Sequence, residues 1–233
     1  MTTNEHLLKL LKSENPAQEL QDQRASGLLK SYLPEVDALY GVPQRPEHHP
    51  EIDVGIHMEL CMEQSRRLKL TASERFAVLV HDLGKGITPA EILPRHHDHE
   101  RTGIPLVKAV CDRLGIEGMD RELALLMCEQ HIRLHSIFSM RSSRILSFIR
   151  DARLLDDAGL AMSFINACLC DIRGRAGNEF KNYSQGQFML ATLGMFERTE
   201  FPSNIAENHK AKLDIVRLMR KVHDINYTKQ IKG

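Results

Sequence analysis

The stretch TASERFAVLVHDLGKG, residues 71–86, governs how the rest of the chain is read. Thr71, Ser73 and Glu74 are helix-capping residues, an apolar run follows, and Gly84 and Gly86 stop it. The spacing predicts a helix from Thr71 to Leu83. His81, Asp82 and Lys85 crowd onto its end. Packing calls for none of them there, because an unpaired buried charge is costly. An imidazole, a carboxylate and an ammonium together suit metal chemistry on a phosphate ester, provided other segments supply the missing ligands.

Outward from this stretch, apolar residues recur at helical spacing and alternating strand-like runs are missing. LLKLLKS and ASGLLKSYL read as two short helices separated by Asn15-Pro16. Three prolines make residues 42–53 an irregular loop. Asp53 or Gly55 starts VGIHMELCMEQSRRL, whose basic last turn suits the helix dipole. ITPAEILPRHHDHE is a loop with room for a short turn of helix. Further helices are ERTGIPLVKAVCDRLGI, ending at Gly115; residues 121–135; SRILSFIRDARLL, capped by Ser142 or Ser143; LAMSFINACLCDIRGR; and a last basic helix over about 207–225. The expected fold class is all-α. The expected organisation is N-terminal helices over 1–40 packing on a domain over 41–205, with a basic helix and tail over 206–233.

The chain has 233 residues, long enough for one sizeable core. Lys+Arg and Asp+Glu balance at 31 each, so no global field argues for nucleic acid or membrane. No run approaches the roughly 18–20 apolar residues of a membrane span. The start, MTTNEHLLKLLKSENP, lacks the pattern of a signal peptide, so a cytoplasmic location and no membrane partner are expected. The five cysteines lie in apolar contexts and read as buried reduced thiols.

The histidines carry more information, because nine of the twelve lie between His48 and His135. His57, His81, Asp82 and Asp171 each sit in or at the end of an apolar helix. Two imidazoles and two carboxylates form a mixed nitrogen and oxygen set suited to Mn, Fe, Co, Ni, Zn or Mg. Consecutive helical residues point about 100° apart, so His81 and Asp82 both reach an ion held between neighbouring helices.

A single His, then His-Asp, then further histidines and a distant Asp is the order found in the HD-domain phosphohydrolases, which this chain resembles. HPEID-x3-H, HDLGKG-x-TP, PRHH-x-H and D-x-RGR, in that order, look like the C-terminal HD region of bacterial multifunctional CCA proteins. Those are tRNA nucleotidyltransferases with an appended phosphohydrolase. The resemblance implies an all-α HD bundle with its ligands on separate helices and the quartet His57, His81, Asp82 and Asp171. In two-metal members two more histidines bind the second ion, which here selects His99 and His131, with Asp82 as the bridge. His135, one turn beyond His131, faces the same side as a substitute or supporting residue. A one-ion site using the quartet alone stays open beside the two-ion site, with Ni, Mn, Co or Fe, or else Mg, as the metal. The resemblance begins near residue 12, and the chain contains no Gly-Gly dipeptide of a nucleotidyltransferase head. It is therefore expected not to add CCA and to be a stand-alone relative or a fragment of the tail region.

Asp82, Lys85, Arg173 and Arg175 are the residues expected to act beside the metal. Lys85, on a glycine-flanked turn, is expected to reach phosphate as a mobile point charge. Arg173 and Arg175 follow Asp171 by two and four residues, where a guanidinium grips phosphate oxygens or pairs with Asp171 or Glu179. His96 and His97 line either the mouth of the site or a solvated loop. By resemblance the substrates are 2′,3′-cyclic nucleotides, 2′-nucleotides and other small phosphomonoesters. Phe180, Tyr183 and Phe188 are the candidates to stack on a base or to fill the core. Expected partners are such a small phosphoester or nucleotide, a tRNA or a nucleotidyltransferase chain, and a second copy in a homodimer. One alternative is an iron-dependent oxygenase on the same fold. The other is a non-catalytic, metal-stabilised module that binds RNA or protein, using the basic face Lys212, Arg217, Arg220 and Lys221.

Overall fold

The computed structural model describes residues 2–232, with side chains described as far as Asp224. It is all-α. An isolated bridge between Pro43 and Asp53 is the only β pairing among the described residues. The helices are α1 (Thr3–Lys12), α2 (Pro16–Ala25), α3 (Leu28–Tyr32), α4 (Pro34–Asp37), α5 (Val54–Arg67), α6 (Ala72–Val80), α7 (His99–Leu114), α8 (Gly118–His135), α9 (Ser142–Asp151), α10 (Ala158–Arg173), α11 (Ser184–Glu197) and α12 (Ile205–Lys232). The chain divides into two compact units. One comprises Met1–Ile132 and Ser163–Asn182, the other Arg133–Met162 and Tyr183–Gly233.

In the first unit α6 is the central helix: every residue from Glu74 to Val80 is buried, as expected of a segment apolar nearly all round. A reciprocal cap starts it, with the Glu74 N–H donating to Thr71 Oγ1 (3.2 Å) and the Thr71 N–H to Glu74 Oε2 (2.8 Å). The other Glu74 oxygen accepts from Asn166 Nδ2 on α10 at 2.9 Å, which fixes α10 against α6. α5 starts at Asp53, whose carboxylate accepts from the Ile56 N–H (2.9 Å) and the Gly41 N–H (2.7 Å). Buried Arg75 donates to the carbonyls of Leu11 and Ser13, each at 2.9 Å, and so closes the C-terminal end of α1.

Three expectations are corrected. The helix expected over 71–83 ends at Val80, because Asp82 leaves helical geometry (φ −105°, ψ 14°) and the chain tightens into a 3-10 turn over Leu83–Ile87. His81 and Asp82 consequently leave the helix in the same turn. Asn15-Pro16 separates α1 from α2 as well as starting α2, since Asn15 caps it and proline suits the first helical position. Gly27, at φ 75°, divides α2 from α3 within the expected helix ASGLLKSYL.

In the second unit α11 was not expected at all. It has no side-chain cap, and its apolar residues follow no clear helical stripe, although Phe188, Met189, Leu193 and Phe196 are buried. It packs with α12, which also packs on α9. Along α12, Arg217 pairs with Asp214 at 2.9 Å, Arg220 donates to the carbonyls of Met140 and Phe138, and Lys212 lies 5.1 Å above the Phe201 ring. Three of the four cations of the basic face are therefore engaged within the chain. All five cysteines are buried and outside any disulfide. No helix among the described residues is long and apolar enough to cross a membrane.

Gly84 sets the approach of the 3-10 turn to α7. A Cβ there would run into the His99 carbonyl oxygen and stand 2.8 Å from Gly103 N, both backbone atoms that cannot swing aside. Gly84→Ala is expected to cost about 1–3 kcal/mol or more in urea unfolding. Gly86→Ala meets the flexible tip of Leu39 at 3.3 Å and is expected to stay within about 1 kcal/mol of wild type.

Candidate metal centre

Four histidines of the first unit are each anchored through Nδ1, three by a backbone carbonyl and one by a carboxylate. His81 Nδ1 donates to the Val78 carbonyl at 2.7 Å, His99 Nδ1 to His96 O at 2.8 Å, and His131 Nδ1 to Met127 O at 2.9 Å. His57 Nδ1 lies 3.0 Å from Glu51 Oε1. With Nδ1 carrying the proton, each Nε2 presents a lone pair in the opposite direction, the arrangement typical of metal-binding imidazoles.

Those Nε2 atoms converge on two buried carboxylates. His57 Nε2 is 3.0 Å and His81 Nε2 3.9 Å from Asp171 Oδ1. His81 Nε2 also lies 3.2 Å from Asp82 Oδ2, while His99 Nε2 (3.2 Å) and His131 Nε2 (3.7 Å) face Asp82 Oδ1. His57–His81–Asp171 and His81–Asp82–His131 therefore form two buried ligand groups that share His81. The six ligand candidates come from α5, the turn after α6, the start of α7, α8 and α10.

The donor set fits a divalent cation. His81 Nε2, Asp82 Oδ1 and His99 Nε2 are buried without a hydrogen-bond partner among the described residues, despite standing close to one another. Each such orphan costs about 1–3 kcal/mol, and one positive ion among them would satisfy all three together. Electrostatics agree. Burial works against ionising Asp82, but His81, Lys85 and His99 overcome it and hold its pKa well below the carboxylate range. Burial likewise pushes the His99 pKa down, and the Asp82 carboxylate facing it more than offsets this, so positive charge is favoured at this point. Burial, with His81 adding to it, keeps His131 well below the ordinary imidazole value and so neutral.

Lys85 is not a mobile arm. It is buried, with Nζ 2.7 Å from Asp82 Oδ2 and donating to Gln44 Oε1 at 3.0 Å. The tight 3-10 turn turns it back onto the carboxylate instead of outward. Arg173 Nε donates to the Lys181 carbonyl at 3.1 Å. Arg175 instead stands beside Asp171, Nη2 3.8 Å from Oδ2, and its buried Nε has no partner among the described residues. His96 bridges Thr88 Oγ1 (2.7 Å) and the Pro43 carbonyl (3.0 Å), which joins two loops, and His97 is exposed. His135 belongs to the second unit, where Nδ1 meets the Tyr183 hydroxyl at 2.9 Å. Tyr183 and Phe188 are buried, whereas Phe180 is 84% exposed.

Sequence reasoning missed Glu51 and Gln44. Both lie in the proline-rich loop that reads only as a connection, and the one signal is that Glu51 is the E of the HPEID motif that carries the resemblance. Glu51 Oε1 faces His49 Nδ1 at 2.9 Å as well as His57, and burial first of all pushes the His49 pKa down to about 4.

Residues 54–159 match the HD domain model. A multifunctional CCA protein of Acinetobacter baumannii is 44% identical over 188 residues, covering 79% of this chain and 46% of that protein. The multifunctional CCA protein of Teredinibacter turnerae is 36% identical over 207 residues, 88% of this chain and 50% of its own length. The chain thus spans about half the length of the curated relatives it matches. With buried histidines and aspartates that could hold a metal, residues 54–159 thus match the HD domain, a superfamily of metal-dependent phosphohydrolases, in a chain similar to part of the multifunctional CCA proteins.

Proposed function

We propose that the chain is a divalent-metal-dependent phosphohydrolase acting on small phosphoesters, among them phosphomonoesters, 2′,3′-cyclic nucleotides and 2′-nucleotides. The observation that carries this reading is the set of partnerless buried donors, His81 Nε2, Asp82 Oδ1 and His99 Nε2, beside a guanidinium with a partnerless Nε. When bound, the cation acidifies water and polarises the phosphorus–oxygen bond. His57, His81, Asp82 and Asp171, with His99 and His131 where two ions bind, would hold it. Ni, Mn, Co, Fe and Mg all suit this donor set.

The chain's own residues supply the rest. In this reading Arg175 donates to phosphate oxygens, which its 3.8 Å separation from Asp171 and partnerless Nε support. Lys85 stabilises the Asp82 anion at 2.7 Å and so keeps this ligand deprotonated. Phe180, the exposed member of the three aromatic candidates, offers a face on which a nucleobase stacks. The similarity to multifunctional CCA proteins supports a tRNA or a nucleotidyltransferase chain as a partner. The engaged cations of α12 speak against that helix as the RNA-tracking face.

Hydrolysis of a panel of 2′,3′-cyclic nucleotides, 2′- and 3′-nucleotides and p-nitrophenyl esters by metal-stripped protein tests the reading. Turnover is expected to return with added Mn, Ni or Co. It should drop by at least about 10²-fold in Asp82→Ala, since even partners one step removed from a metal act on that scale. Protein that binds metal yet turns over no ester would establish the binding module instead. Arg175→Ala is expected to lower kcat/KM by about 10–100-fold through KM, the worth of a charged hydrogen bond. Arg173→Ala, which loses a bond to an exposed carbonyl, should stay within about fivefold. Phe180→Ala should raise KM for nucleotides about fivefold or more while leaving p-nitrophenyl phosphate unaffected.

A further inference from the structure

The loop before α5 carries a continuous polar strap around the ligand cluster. From the Asp82 side, Lys85 Nζ lies 2.7 Å from Asp82 Oδ2 and donates to Gln44 Oε1 at 3.0 Å. Gln44 Nε2 donates to Glu51 Oε1 at 3.4 Å, and the same oxygen stands 3.0 Å from His57 Nδ1. His57 Nε2 then meets Asp171 at 3.0 Å. Glu51 Oε2 accepts from the Ala176 N–H at 3.2 Å, directly after Arg175. The Glu51 side chain is only 2% exposed, so these contacts are made out of bulk water, where they are worth most.

We infer that Glu51 is a positioning residue of the metal centre: it fixes the His57 ring with Nε2 facing the ligand cluster and, through Ala176, ties the turn carrying Arg175 to the same carboxylate. Three contacts require a carboxylate here. His57 Nδ1 and His49 Nδ1 need an acceptor on one side, and the Ala176 N–H needs one on the other. A glutamine of the same shape offers one acceptor oxygen and turns an NH2 toward one of these donors. His57 differs from the other three imidazoles in this respect. Those are anchored by helical or turn carbonyls of their own segment, whereas His57 depends on a side chain six residues earlier. Glu51 acts on the half of the centre made by His57, His81 and Asp171, and the part of the inference concerning Arg175 rests on the phosphohydrolase reading.

The test is cobalt binding to metal-stripped full-length protein, followed by titration calorimetry and by the visible cobalt absorption, in wild type, Glu51→Gln, His57→Ala and the double variant. Circular dichroism and thermal unfolding of the metal-free proteins establish that each is folded, with Glu51→Asp as a second, shorter carboxylate. Glu51→Gln is expected to weaken cobalt binding by about 10–100-fold and to alter the absorption envelope, while Glu51→Asp recovers part of the loss. The double variant should bind no more weakly than His57→Ala alone, because the effect passes through that ring. Wild-type affinity and spectrum in Glu51→Gln, or full additivity with His57→Ala, would overturn the inference. Each of these readouts is independent of turnover. A wild-type protein that binds cobalt but hydrolyses nothing would sink the phosphohydrolase reading and leave the role of Glu51 standing.

Discussion

Everything distinctive in the first unit depends on one constraint: four imidazoles whose Nδ1 atoms are occupied, so that their Nε2 lone pairs meet around two carboxylates. Unprotonated nitrogens facing carboxylate oxygens at 3.0–3.9 Å repel one another unless a proton or a cation lies between them. A cluster of that kind can persist only if the surrounding helices hold it rigidly. α6 does so from the centre, buried along nearly its whole length, with a reciprocal cap at its start and Asn166 of α10 bound to that same cap. The cluster explains in turn why α6 stops where it does. With the chain tightening into the 3-10 turn after Asp82, His81 Nε2 faces both Asp171 and Asp82, and Asp82 in turn faces His99 and His131.

Close approach of backbones supports the same end. Gly84 lies against the first turn of α7, so the helix that begins with His99 is seated directly on the turn that carries Asp82. Gly174, just past Asp171, packs on Cys61 of α5, one helical turn beyond His57. In both places a missing side chain brings one ligand-bearing segment within reach of another. The buried thiol of Cys61 also approaches His57 Nε2 at 3.5 Å, as a small apolar filler beside the ring.

The sequence made the all-α class legible because helical periodicity persists through most of the chain and strand alternation is missing. It made the candidate ligands conspicuous because a polar residue inside an apolar helix stands out: His57, Asp171 and the His81-Asp82 pair contrast with Val, Leu, Cys and Met neighbours, and the structure brings them together. α11 was invisible for the converse reason, since its apolar residues are spread around the helix and no capping residue marks its start. Glu51 and Gln44 were invisible because loop residues carry no periodicity against which to be judged. The orientation of Lys85 was equally unreadable, as glycines on both sides permit either direction and only the tertiary position of Asp82 selects one.

That orientation bears directly on the chemistry proposed. With neutral imidazoles, the inner groups are two carboxylates, Asp82 and Asp171, set against the Lys85 ammonium and the Arg175 guanidinium. Glu51, set against His57 and His49, adds a third carboxylate, so these groups carry one net negative charge, which a single divalent ion entering the cluster outweighs. A lysine free in solvent would have attracted phosphate without offsetting the ligand charge. Tethered to Asp82, it keeps the carboxylate ionised for the metal and still contributes to the positive field that a phosphate dianion meets on approach. In the proposed reaction, recognition of the anion falls to the Arg175 guanidinium and retention of the cation to the imidazoles. The two tasks fall to different side chains, and the backbone N–H of Ala176 on Glu51 is the point at which they meet.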